Sequence, residues 1–257
     1  MERAKNMNSK DIIIKIPNNF IKPSWLVENH QTYSLLFVYS YIANNLKRYN
    51  HNLSSVFIKE MIKESGWCTS YVNQKTLFQF VDSLKFLKEN NYFDIDQSIS
   101  SNLEKSNYRS YFRLYINSEV FNPKKDYTPV YANSFYKIFD EKKYQRGYDL
   151  LIVWFIYCYL THDIKITSHQ NGTPEIFFKS QKTMSEELLL SAKTIAKYLK
   201  FLEDLKLITS TPISNFPIMY VLNDNNAHEN IKRGETFISQ YKTMKYFSKE
   251  DDINALY

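Results

Sequence analysis

The sequence predicts a mainly α-helical protein with small β hairpins, organised as two copies of one unit. Three observations predict this. Glycine is scarce, four in 257 residues, which disfavours glycine-rich phosphate loops and folds with many tight β-turns, and leaves helices as the main element. The run from Leu150 to Leu160 is apolar nearly all round, as the central helix of a small domain is. Short segments recur at one fixed displacement, the mark of an internal duplication. With 44% hydrophobic and 16% aromatic residues, the chain has the material for sizeable cores.

Tyr33-Ser-Leu-Leu-Phe-Val-Tyr reappears as Tyr148-Asp-Leu-Leu-Ile-Val-Trp, displaced by 115 positions (148 − 33). Leu84-Lys-Phe-Leu87 reappears at the same displacement as Leu199-Lys-Phe-Leu202, and Asn18-Asn-Phe20 as Asn133-Ser-Phe135. One such match is weak, but three in the same order mark two copies, residues 12–122 and 127–223. The segment Asn122 to Pro129, with two prolines and a charge run, reads as a short linker.

In the second copy the helix Leu150–Leu160 is followed by a loop with Gly172 and Pro174 and by a short strand, Glu175 to Lys179. Ser185 offers an N-cap with Glu186 and Glu187 in the first turn of a short helix. Ser191 offers a second cap, opening a helix to about Lys206. Leu207–Thr211 and Ile218–Leu222 then form a hairpin of β-branched and aromatic residues around Pro212 and Pro217.

The first copy is more divergent. Leu35–Leu46 supplies its opening helix, Phe57–Ser65 the next, stopped by Gly66, and about Tyr71 to Asn90 a long third. Tyr92–Asp96 and Tyr108–Ile116 alternate as strands around a polar tip, a long wing with Lys105, Arg109 and Arg113 at its base. Residues 224–257 form a C-terminal extension. Phe237, Ile238, Tyr241 and Met244 are spaced for a helix that packs on a domain or on a second chain, and an intramolecular brace is the expected role. Glu250 to Asp252 reads as a solvated acidic tail.

The order helix, strand, helix, turn, helix, hairpin is that of a winged helix-turn-helix. The stretch Met184 to Ile208 resembles the winged helix-turn-helix of many bacterial regulators and is similar to replication proteins of plasmids and phages of AT-rich bacteria. The family's usual glycine before the final Leu-Ile is Lys206 here. The tandem arrangement resembles plasmid initiators with two winged-helix domains in one chain. The fold class expected is therefore mainly α with small β wings, as two tandem winged helix-turn-helix domains. The resemblance implies sequence-specific binding of double-stranded DNA in replication initiation or control. A transcriptional regulator with the same binding chemistry and a protein-interaction module are the alternatives.

In such a motif the second helix enters the major groove and its N-terminal residues meet base edges. Ile195, Leu199 and Leu202 should face the core. Lys193, Lys197 and Lys200 repeat with the same spacing two residues earlier, about 200° around the helix, with Ser191 and Thr194 at its leading end. Lysines on that face can neutralise phosphates, and Thr and Lys can contact bases. The same positions in the first copy are Phe78, Asp82 and Lys85, poor company for phosphates. Either that helix is rotated, bringing Tyr71, Gln74 and Lys75 into the groove, or its surface serves another purpose. Phe78 would then belong to a protein interface or, as is the default for a helical Phe, to the core.

A net charge of +6 and a pI near 9.0 suit a phosphate-binding face without demanding one. No P-loop, G-x-G-x-x-G, H-x-H or H-E-x-x-H pattern occurs, and His162-Asp163 lacks evident partner ligands, so no catalytic centre, metal or cofactor is expected. Cys68 and Cys158 read as separate buried thiols, which points to a reducing compartment. Leu150–Leu160 is shorter than the about 20 residues that cross a bilayer, and the N-terminus has no signal-peptide pattern. A cytoplasmic protein without a membrane partner is expected, with duplex DNA, replication or transcription proteins and a second copy of itself as candidate partners.

Overall fold

The computed structural model describes residues 12–49, 52–67, 73–141, 147–214 and 216–247. Tyr71, Cys68 and the tail Glu250–Asp252 lie outside the described residues. Among the described residues the chain is mainly helical, with three small antiparallel sheets. It divides into two compact units, residues 1–159 with 187–189, and residues 160–186 with 190–257. These units do not coincide with the sequence repeat, since the opening elements of the second copy belong to the first unit.

The first unit begins with β1 (Ile13–Pro17), a 3-10 turn over Asn18–Ile21, α1 (Pro23–Glu28) and α2 (Tyr33–Tyr49). β2 (Leu53–Phe57) leads directly into α3 (Ile58–Glu64), and α4 (Gln74–Glu89), β3 (Phe93–Ile95) and β4 (Tyr111–Ile116) follow. α5 (Ser118–Phe121), β5 (Tyr127–Tyr131), α6 (Ala132–Phe139) and α7 (Gly147–His162) complete the series. Every residue from Ser34 to Asn44 is buried, so α2 is the central helix. Gly66 takes φ 85° just past α3 and its N–H caps Lys63 O at 3.1 Å, the left-handed helix stop expected of it. On β4, Phe112, Leu114 and Ile116 are buried while Tyr111, Arg113 and Tyr115 face outward, the two-residue alternation of a strand with one covered face. The three-stranded sheet has the order β2-β4-β3.

The stretch expected to be a linker is instead structured. Asp126 turns at φ 57°, and β5, Pro129 included, pairs antiparallel with β1. A two-stranded ladder leaves one side of each strand unpaired, which is where a proline fits. Lys15 Nζ donates to Pro123 O at 3.0 Å and Asn18 N to Asp126 O at 3.0 Å, fastening the crossing. Ile14 pairs with Val130 and Lys15 with Pro129. The repeat equates Ile14 with Pro129 and Lys15 with Val130, so the ladder is centred on a local two-fold between equivalent strands.

Side-chain packing repeats as well. Phe20 meets Tyr39 edge-on at 5.5 Å and 88°, and their counterparts Phe135 and Trp154 meet at 5.2 Å and 88°. Such edge-to-face pairs are a favoured aromatic geometry. Trp154, fully buried, donates from Nε1 to Ser40 Oγ at 3.1 Å, which satisfies its one polar atom.

In the second unit the helical path continues through a π-helical turn, Asp163–Thr167, into α8 (Ser168–Asn171). The helical stretch from Asp149 to Asn171 is long and apolar enough to cross a membrane, but its most apolar 18-residue window is 76% buried in the protein, as expected of a core helix. α9 (Gln181–Leu188), α10 (Ala192–Asp204), β6 (Ile208–Thr211), β7 (Met219–Leu222) and α11 (Ala227–Phe247) follow. The strand expected at Glu175–Lys179 shrinks to one bridge, Phe177 with Tyr220. The N–H of Ile176 turns back to Pro174 O at 2.8 Å and leaves the ladder. The cap of α9 is Ser180, whose Oγ accepts from Thr183 N at 3.0 Å, and not Ser185, which lies inside the helix and donates to Leu190 O.

α11 packs on the outer face of this small sheet. Ile176, Phe178, Met219, Val221 and Ile238 form one buried cluster, joined by Ile231 and Phe237. Gly234 sits at the closest approach: a Cβ there would lie 2.5 Å from Met219 Sδ and 2.8 Å from Ile176 Cγ2. Through Ile238 the extension therefore braces its own chain; Tyr241 and Met244 lie outside the residues whose side chains are described. In the same unit Lys179 pairs with Asp163 at 3.2 Å and Lys165 with Asp224 at 3.1 Å.

Candidate nucleic-acid interface

Helices α9 and α10 are joined by Leu189, Leu190 and Ser191, with Leu189 at φ 54°. Ser191 caps α10 as expected, its Oγ accepting from Thr194 N at 3.1 Å and meeting Thr194 Oγ1 at 2.8 Å. The helix sorts its faces cleanly. Ile195, Tyr198, Leu199, Phe201 and Leu202 are buried, while Ser191, Lys193, Lys197 and Lys200 are exposed and Thr194 is half-buried. Lys197 lies over the Tyr198 ring, 4.8 Å from its centroid. Among the described residues Lys193 and Lys200 are paired with no carboxylate. The N-terminus of α10 adds the positive end of its dipole to this face.

Just past the helix Lys206 takes φ 55°, the left-handed conformation that favours glycine. Leu207 N donates to Leu202 O at 3.0 Å across it. The first copy repeats this geometry: Asn91 has φ 60°, and Tyr92 N donates to Leu87 O at 2.9 Å. The repeat register therefore holds at the C-terminal ends of both helices. It holds along the core stripe too, since Phe80, Leu84 and Leu87 are as buried as Ile195, Leu199 and Leu202.

α4 is consequently not rotated. It carries one additional N-terminal turn, opened by Asn73, whose side chain accepts from Thr76 N at 2.8 Å. Gln74 and Lys75 are exposed on that turn. The counterparts of the three lysines are Phe78, 53% exposed and so not core, an exposed Asp82, and Lys85 tied to Glu104 at 2.8 Å. The face of α4 is mixed, not basic. Glu104 belongs to the connection between β3 and β4, so this ion pair ties that connection to α4. Lys105 and Arg109 are exposed and Arg113 half-exposed. Arg113 lies near Asp96, whose carboxyl is held below its usual range by Ser98, the Tyr115 hydroxyl and then Arg113. The sequence reading singled out Arg113 but not Tyr111 and Tyr115, although strand alternation places all three on one face. No family model, curated protein or solved structure matches the chain.

Proposed function

We propose that this chain is a sequence-specific double-stranded-DNA-binding protein with two winged-helix domains in tandem, acting in the replication control of a plasmid, phage or related mobile element. The observation that carries the reading is α10: a lysine face opposite its buried stripe, led by a capped N-terminus with Ser191 and Thr194. A second helix of this kind lies in the major groove, where lysines position the chain on phosphates and leading residues read base edges. The element order supports the tandem reading. α2, β2, α3, α4, β3 and β4 run in the same order as α7, the Phe177 bridge, α9, α10, β6 and β7, and both sheets place the last strand in the middle. Replication control rests on the resemblance of the tandem to plasmid initiators, with promoter regulation as the alternative.

The exposed Phe78 and Asp82 favour a protein contact for α4, with Gln74 and Lys75 on its leading turn and Lys105, Arg109 and Arg113 supplying wing contacts to phosphate. The test is a duplex titration of Lys193→Ala/Lys197→Ala against wild type over a salt series. Affinity should fall and the salt slope should shrink by about one for each lysine removed. Unchanged affinity and slope would remove α10 from the interface.

A further inference from the structure

The outer faces of the two equivalent sheets are treated differently. In the second copy α11 covers an apolar face of Ile176, Phe178, Met219 and Val221. In the first copy the corresponding face is partly open, with Phe57 and Tyr115 about half exposed, and its residues are aromatic and basic. Phe57, 50% exposed, pairs across the ladder with Tyr111, and their rings lie 4.5 Å apart. Ser55 Oγ meets the Tyr111 hydroxyl at 3.1 Å and fixes that ring. Arg113 follows one alternation further along β4. At the wing end, Lys59 stands 6.0 Å from the centroid of the Tyr108 ring, beside the exposed Arg109. The carboxylate of Asp96 is taken up at the other end of the face, where the Tyr115 hydroxyl donates to it at 3.0 Å.

We propose that this wing-end sheet face binds single-stranded nucleic acid. It goes beyond the duplex reading: it shares the cations Arg109 and Arg113 with it but uses no α10 residue, and its ring platform takes no part in duplex binding. An exposed Phe57 ring beside a half-buried Tyr111, with cations nearby, suits unpaired bases and their phosphates, because every base offers a π-face for stacking and the backbone is anionic throughout. A duplex keeps its base faces stacked and gives such rings nothing to grip. An apolar helix like α11 finds no match either, since it would strip the exposed Lys59 and Arg109 of water without offering them a counter-charge. Phe57 and Tyr111 form the platform. Lys59, Arg109 and Arg113 flank it.

The test uses the full-length chain with a fluorescent oligo(dT), an oligo(U) of equal length and a mixed-sequence duplex as probes. Phe57→Ala/Tyr111→Ala should weaken oligonucleotide binding at least five-fold, on the scale of base–aromatic stacking, and leave duplex binding unchanged. Phe57→Tyr keeps a ring and should retain binding, which separates a lost platform from a damaged fold. The relative affinity of oligo(dT) and oligo(U) distinguishes DNA from RNA as the source of the strand. Absence of oligonucleotide binding by the wild type, or equal binding by the double alanine variant, overturns the proposal and hands the face to a protein partner. Because the duplex is measured in the same series, that failure is distinct from failure of the α10 reading.

Discussion

Gly234→Ala should destabilise the protein, against the usual effect of that change in a helix. In an exposed helix interior, alanine in place of glycine gains about 1 kcal/mol. Here the new Cβ would meet Met219 Sδ at 2.5 Å and Ile176 Cγ2 at 2.8 Å. Both neighbours are buried, Met219 at 0% and Ile176 at 1% exposure, so neither can move into solvent. The thioether can adapt, whereas the β-branched Ile176 methyl is stiff. Overpacking of this size costs about 1–3 kcal/mol, so after the propensity gain the net loss should be about 1 kcal/mol. Gly234→Val, bulkier and branched, should lose about 3 kcal/mol or more. Met219→Val removes the atom at 2.5 Å. In a double-mutant cycle it should therefore recover about 1 kcal/mol of the Gly234→Ala loss. Urea unfolding monitored by circular dichroism measures all four chains. A Gly234→Ala variant stabilised by about 1 kcal/mol would refute the docking of α11 on β7, for it would behave as an undocked helix.

Other expectations follow from local geometry. Ser191→Ala should cost about 1 kcal/mol by removing the cap on Thr194 N, read from the same unfolding curves. Lys206→Gly should stabilise by about 0.5–1 kcal/mol, since φ 55° suits glycine and strains lysine, whereas Asn91→Gly should gain less because Asn tolerates that region. Alkali should destabilise the fold: burial pushes Tyr92 and Tyr220 up to about 12, Tyr220 with a further push from Glu203. An unfolded tyrosine ionises near about 10, so the folded state holds more protons between these values. The tyrosine contribution is intact below pH 10 and is lost as pH rises towards 12. Tyr92→Phe should flatten that loss, and an unchanged pH profile of the thermal midpoint would contradict it.

Helical periodicity and capping made much of this fold legible. The stripes Phe80/Leu84/Leu87 and Ile195/Leu199/Leu202, the Ser191 cap, the Gly66 stop and the alternation on β4 are local signals, and each is where the pattern puts it. What escaped depends on partners far along the chain. The β1–β5 ladder joins two segments that look unremarkable alone, and Pro129 made one of them resemble a linker. Ser185-Glu-Glu looked like a cap, yet the start of α9 is set by where the chain leaves the Phe177 bridge, so Ser180 caps it. The contrast between α10 and α4 was readable as Lys against Phe and Asp. Its meaning needed burial, which shows Phe78 outside the core and the core stripes in register. The aromatic face of β4 was equally present in the alternation. The exposed positions of a strand covered on one face are usually passed over as surface.

The most direct test of the central claim is selection from a pool of random duplexes by the full-length chain at several salt concentrations, with the bound fraction sequenced. Sequence-specific duplex binding through α10 predicts an enriched motif, an affinity that falls steeply with salt, and loss of the enrichment in Lys193→Ala/Lys197→Ala. Weak, salt-sensitive binding with no enriched motif would contradict it and leave protein partners as the ligands of these helices.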